Sequence, residues 1–233
     1  MRPVIILSLT LVLVSNGLGW LISATGIDRQ SAYFTWAVVL LLAALWWARG
    51  SAHLTWSDIG LAGEGGKRSA AIGLLCGIGL AIPLFVFMLF APLLAGPVHY
   101  GEIQSLDALA LLWRVGVELT IATALTEEIL FRGILQALFE RVWTTTRALV
   151  STNVVFALWH LWANALSLQQ NKVVIPFLSA DASQALGYLG SLVAVGMGGL
   201  LLSILRERTR HLAGSVIAHW AAVAAMTLMI YMR

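Results

Sequence analysis

Charge is what this chain of 233 residues has least of: 11% of its residues are Asp, Glu, Lys or Arg, against about 25% in ordinary soluble domains. It has a single cysteine, Cys76, set in an apolar run. That excludes an intrachain disulfide and leaves redox compartment unreadable. Its five histidines are scattered, so no Cys/His cluster has metal-site spacing, and the H-E-x-x-H signature is absent. The net charge of +3 is spread through the polar connections. It forms no basic stripe of the kind that reads nucleic acid, so no nucleic-acid partner is expected. The chain is instead 60% hydrophobic, with mean hydropathy +0.88. These values describe an all-α, polytopic membrane helix bundle, in contact with the lipid bilayer along most of its length.

A membrane span needs about 20 mostly apolar residues. Seven stretches qualify: 3–24, 32–48, 70–94, 106–140, 148–168, 185–206 and 212–232. The first is too long for the apolar core of a signal peptide and reads as a span. The fourth is too long for one simple crossing, and the expectation is a tilted or broken element with a division near Leu125. Within it Arg114 and Glu118 are four apart and must face protein or water. With the N-terminus inside, basic residues divide nine to three in favour of the inner side. This places the N-terminus in the cytoplasm, at the plasma or inner membrane if the organism is bacterial. The whole of 1–233 reads as one integral-membrane domain. The inner loop carries Trp56-Ser57-Asp58-Ile59-Gly60-Leu61, with Trp56 a candidate interfacial anchor. The outer stretch 167–184 reads as a plain loop, with a re-entrant or gating segment as the alternative. Glycines 187, 190, 196, 198 and 199 give the sixth span a small-residue face for close packing.

Charge inside apolar helices is costly and marks function by default. Three constellations stand out. The first is Glu127-Glu128-Ile129-Leu130-Phe131-Arg132-Gly133: Glu128 and Arg132, four apart, share a helical face and can pair, while Glu127 points elsewhere as a free carboxylate. The second is Phe156-Ala157-Leu158-Trp159-His160, with Asn153 and Asn164 falling near the same face as His160. The third is His219, mid-span, with Ser215 four residues before it. One carboxylate and two imidazoles suffice for water-activated hydrolysis. The carboxylate takes a proton from water and an imidazole orients the water or protonates the leaving amine. Another imidazole donates to the developing oxyanion. The same Glu127, His160 and His219 could instead hold a divalent metal such as zinc with one open position.

Together these motifs resemble the CPBP family of intramembrane proteases (CAAX protease and bacteriocin-processing, or Abi), to which the Ras-converting CAAX endopeptidases belong. The E-E-hydrophobic-hydrophobic-F-R-G form at 127–133, the F-x-x-x-H at 156–160 and the run from Gly199 through Arg206 to His219 carry the likeness, over about 118–223. The resemblance implies a metal-free endopeptidase with no cofactor. In it Glu127 activates water, His160 assists, His219 stabilises the oxyanion, and Glu128 and Arg132 support the site. It also shows a departure: the position four after His219, usually Asn, is Val223. Either Asn164 or Asn153 supplies the missing amide, or the oxyanion hole is simpler, or the chain is a weak or non-proteolytic variant; Asn164 is favoured because it shares a face with His160. The expected partner is a membrane-associated protein or peptide substrate: a prenylated tail in a eukaryote, a bacteriocin leader or membrane-protein segment in a bacterium. The alternatives are a non-proteolytic scaffold or immunity factor on the same fold, and a small transporter using the same polar groups.

Overall fold

A computed structural model describes residues 2–25, 27–95, 101–170 and 178–232. Of the loop expected over 167–184, residues 171–177 lie outside the described residues, and 167–170 and 180–184 are helical because the flanking helices run further than expected. His99 and Arg233 also lie outside the described residues. With no water in the bilayer core, backbone groups must be satisfied within each segment, and every regular element described is helical. In chain order these are α1 (Arg2–Thr25), α2 (Arg29–Gly50), α3 (Trp56–Ile59), α4 (Gly66–Ala95), α5 (Gly101–Gln104), α6 (Ala108–Glu140), α7 (Thr145–Trp159), α8 (Leu161–Gln170), α9 (Ala180–Thr209) and α10 (Leu212–Tyr231). Among the described residues six helices are long and apolar enough to cross a membrane, and α7 with α8, bent by 43°, would make a seventh span. Many side chains facing outward are large and apolar, among them Leu13, Trp46, Leu75, Leu109 and Val193, as a lipid-facing surface requires.

α6 runs through the middle of the bundle. Phe131, Leu130, Ile134 and Leu135 are buried in it against Leu11 of α1, Leu54, Ile59 of α3, Ala148 and Phe156 of α7 and Leu212 of α10. The expected division near Leu125 does not occur: α6 is continuous over 33 residues. It absorbs its length through two π-helical stretches, Arg114–Leu125 and Ile129–Leu135. At their junction the Thr126 hydroxyl and backbone N–H both donate to Ile121 O, five residues back. Such widened turns recur at functional sites.

Close approach on either side of α6 is set by small residues. A Cβ on Gly73 of α4 would fall on the Gly214 carbonyl oxygen of α10, and one on Gly77 would sit 2.7 Å from Ala221 Cβ. On α9, a Cβ at Gly199 would lie 2.5 Å from Asn153 Oδ1 and 2.6 Å from Arg132 Nη2. Gly190 and Gly198 have nothing within 4 Å, whereas Gly196 and Gly199 meet α7, so the small-residue face serves packing at Gly196 and Gly199 and not at Gly190 or Gly198. The loop between α2 and α4 is docked against the bundle. Thr55 and Asp58 form a capping box around α3, and Gly60 turns the chain at φ 82°. Arg206 Nη2 donates to Asp58 O at 2.7 Å and Leu212 N–H to Gly60 O at 2.8 Å. Trp56 stays exposed, with the Arg49 guanidinium 4.9 Å over its ring. The Thr55 backbone N–H, with smaller help from its hydroxyl and from Arg141 and Arg206, holds the Asp58 carboxyl below its ordinary range against the opposing effect of burial. This contribution to stability is present above the ordinary carboxylate range and is lost as pH falls through the lowered value.

Gly73→Ala is expected to destabilise the bundle by about 1–3 kcal/mol, the usual cost of overpacking. Gly79→Ala, whose Cβ meets nothing within 4 Å, should leave stability unchanged. Denaturant unfolding of the two variants in detergent checks the contrast.

Candidate active site

The three polar constellations converge. The guanidinium of Arg132, fully buried, donates from Nη1 to Glu128 Oε1 at 3.0 Å and from Nη2 to Asn153 Oδ1 at 3.1 Å. Its Cζ lies 4.2 Å from the Phe156 ring centroid. Asn153 completes the clamp by donating to Leu149 O and to Ser203 Oγ of α9. The pairing read from the four-residue spacing is therefore present. It also ties α6 to α7 and α9, and Gly199 leaves the room for it.

Glu128 holds a second group. His219 Nδ1 of α10 lies 2.9 Å from Glu128 Oε1. A carboxylate accepts, so Nδ1 carries the proton and Nε2 is turned outward, an acceptor in the neutral ring and a donor in the protonated one. His160 is fixed in the same sense from a different side. It stands at the bend between α7 and α8, at φ −93° and ψ 6°, in the sparsely populated region where active-site residues are often found. Its Nδ1 is 2.8 Å from Phe156 O. A carbonyl also accepts, so Nδ1–H donates and Nε2 is again left outward.

Both Nε2 atoms face one atom. Glu127 Oε2 is 3.8 Å from His160 Nε2 and 3.9 Å from His219 Nε2, is buried, and has no hydrogen-bond partner in the protein. These separations exceed direct hydrogen bonding. With both rings neutral, three acceptors surround one point, and a water molecule there donates its two O–H groups to two of them. Among the described residues no group of three His, Cys, Asp or Glu side chains is arranged to hold a metal ion.

Glu127 and His160 form part of the wall of a cavity of about 870 Å³. Its sides are largely apolar, with Leu18 from α1, Phe34 and Leu40 from α2 and Trp159 from α7. Toward its other end Glu118 accepts from Gln30 Nε2, Trp113 Nε1 and Arg114 Nη1, the last two at 2.9 and 2.7 Å. Arg114 and Glu118 therefore face protein and cavity, as the spacing required. His219 is not in the cavity wall and reaches Glu127 from α10.

The two candidate amides fare differently. Asn153 is consumed by Arg132, Leu149 and Ser203. Asn164 lies one turn beyond the bend, outside the cavity wall, with its Nδ2 buried and unpartnered. The expected stripe of Asn153, His160 and Asn164 along one straight helix is dispersed, because the helix breaks at its middle member. Sequence reasoning missed α2: Gln30 and Trp36 line the cavity, and Trp36 Nε1 is buried without a partner. The available signal was a Gln and three aromatics in the first half of an otherwise apolar span.

A family model described as type II CAAX prenyl endopeptidase Rce1-like matches residues 108–225, agreeing with the motif resemblance and spanning α6 to α10. No curated protein and no solved structure matches the chain.

Removing Arg132 would leave Glu128 buried and uncompensated. Arg132→Ala is expected to cost about 3–5 kcal/mol of stability, read by denaturant unfolding, with a smaller loss for Asn153→Ala. Equal stability of Arg132→Ala and wild type would show that the clamp does not hold the bundle.

Proposed function

The chain belongs to the Rce1-like type II CAAX prenyl endopeptidase family, a peptidase family, and on that premise we propose that it hydrolyses a peptide bond of a membrane-associated protein or peptide with water activated at Glu127. The observation that carries the reading is the convergence of His160 Nε2 and His219 Nε2 on the unpartnered Glu127 Oε2.

The roles follow from what stands behind each ring. Glu127 takes a proton from water as the water oxygen bonds to the scissile carbonyl carbon. His160, with a neutral carbonyl behind Nδ1, offers Nε2 as an acceptor and orients that water. His219 has the Glu128 carboxylate behind Nδ1, which can compensate a positive ring, so His219 can present N–H to the oxyanion. The C–N bond then breaks as the proton held by Glu127 passes to the leaving nitrogen, and Glu127 is regenerated. Glu128 and Arg132 are the support of this arrangement rather than its reactants. Of the amides that could act in place of an Asn at Val223, Asn164 keeps a free donor and remains the candidate. The N-terminus lies on the cytoplasmic side in this reading, following the distribution of basic residues.

The protein reconstituted in liposomes with a membrane-tethered candidate peptide provides the test. Glu127→Gln is expected to lower the cleavage rate by about 10²–10⁴, the range for a positioned general base, and His219→Ala by about 10²–10³. Equal cleavage by wild type and Glu127→Gln would remove Glu127 from the chemistry. A rate that collapses with a chelator and returns with zinc would replace the glutamate mechanism by a metal site on the same three residues. Val223 favours one further reading, a non-proteolytic scaffold, which requires a full cellular phenotype from Glu127→Gln. Asn164→Ala should slow cleavage about tenfold or more; an unchanged rate would leave the oxyanion to His219.

A further inference from the structure

His160 owes its position to a broken helix, and the break is occupied by a side chain from the far end of the sequence. In an unbroken α-helix the Trp162 N–H would donate to Leu158 O. Here neither group has that partner. Trp162 N–H donates to Asn16 Oδ1 at 2.7 Å, and Asn16 Nδ2 donates to Leu158 O at 2.9 Å. One amide of α1 has entered the ladder and satisfied both of its loose ends. Insertion of a side chain into the i→i−4 ladder is a recognised physical cause of a sharp kink, and α7 and α8 diverge here by 43°. The surroundings reinforce it. Ser15 Oγ donates to Trp159 O at 3.0 Å, and Trp162 Nε1 to Ser23 Oγ at 3.3 Å. A Cβ at Gly19 would lie 2.5 Å from Trp162 Cδ1, so that glycine is what lets the indole lie against α1. Asn16 also donates to Val12 O of its own helix at 2.7 Å, which fixes the amide orientation. Ser15 also lines the cavity; the Asn16 amide is spent on the break and on Val12 O, and in an apolar span it would cost free energy unpaired.

We propose that Asn16 is a positioning residue for His160: its amide holds the α7–α8 break open and thereby keeps His160 Nε2 turned toward Glu127. α1 lies outside the family match of 108–225, so this makes the first span part of the active-site framework. The inference rests on the role assigned to His160 above.

The test uses the full chain in liposomes with the tethered peptide. Asn16→Ala frees Leu158 O and Trp162 N–H to bond each other and straighten the helix. It should lower kcat about 10–100-fold, the scale of a misplaced catalytic group; KM is expected to change as well, because Trp162, Ala163 and Leu166 of α8 line the cavity, so kcat is the discriminating readout. Added to His160→Ala, it should lower kcat no further, because its effect on kcat runs through that ring. Asn16→Asp supplies a second reading that survives any folding defect of the alanine variant. Its carboxylate accepts from Trp162 N–H but cannot donate to Leu158 O; protonated, it does both. Its rate relative to wild type should therefore rise as pH falls. Asn16→Ala cleaving at the wild-type rate would overturn the proposal, and so would a pH-independent ratio for Asn16→Asp or a loss on KM alone. If Glu127→Gln and His160→Ala also cleave at the wild-type rate, the hydrolytic reading itself has failed and this inference falls with it. If those two are inactive while Asn16→Ala is fully active, only the role of Asn16 is lost.

Discussion

A guanidinium buried to zero exposure in a membrane bundle is the constraint around which this structure is arranged. Arg132 must be neutralised, and its two terminal nitrogens must each find an acceptor, or the helix carrying it could not sit in the interior. Glu128 supplies the charge and Asn153 the second acceptor. Each then fixes something further. Glu128 orients His219 on α10, and Asn153 reaches Ser203 on α9. The same requirement explains Gly199, because any side chain there would collide with the arginine and its asparagine. Buried ion pairs are weak evidence of net stability, but they are well suited to specifying one arrangement. Here the arrangement specified is the direction in which one imidazole points.

The second imidazole is set by backbone rather than by charge. His160 is held by Phe156 O at the end of α7, where the helix turns aside. The two rings consequently differ in what stands behind Nδ1, a carboxylate for one and a carbonyl for the other. That difference separates their chemistry while both present Nε2 to Glu127. The π-helical stretches on either side of Glu127 and Glu128 belong to the same design. Widened turns let one continuous helix carry Glu118 toward one part of the cavity and Glu127 toward another without a break in α6.

Much of this was legible in the chain of residues. The all-helical membrane class followed from the scarcity of charge, and the Glu128–Arg132 pair from a four-residue spacing. Arg114 and Glu118 were recognisable as inward-facing for the same reason. The division of α6 near Leu125 was misjudged because length was counted at α-helical rise, and π turns change that count. The straight run 148–168 was misjudged because nothing local in Trp159-His160-Leu161 breaks a helix: there is no proline and no glycine. The cause sits in α1, at a separation of 142 and 146 residues.

By itself the sequence determined which groups are expensive to bury and which helical face each occupies, because period and desolvation cost are properties of a segment alone. It therefore determined that Glu128 would pair with Arg132 and that Glu127 would not. The tertiary structure decided where Glu127 points relative to His160 and His219, which of two asparagines is already spent, and that an amide of the first span bends the helix bearing His160. Those outcomes depend on hydrogen bonds between segments far apart in the chain. Their partners are chosen by packing, and no local pattern encodes the choice.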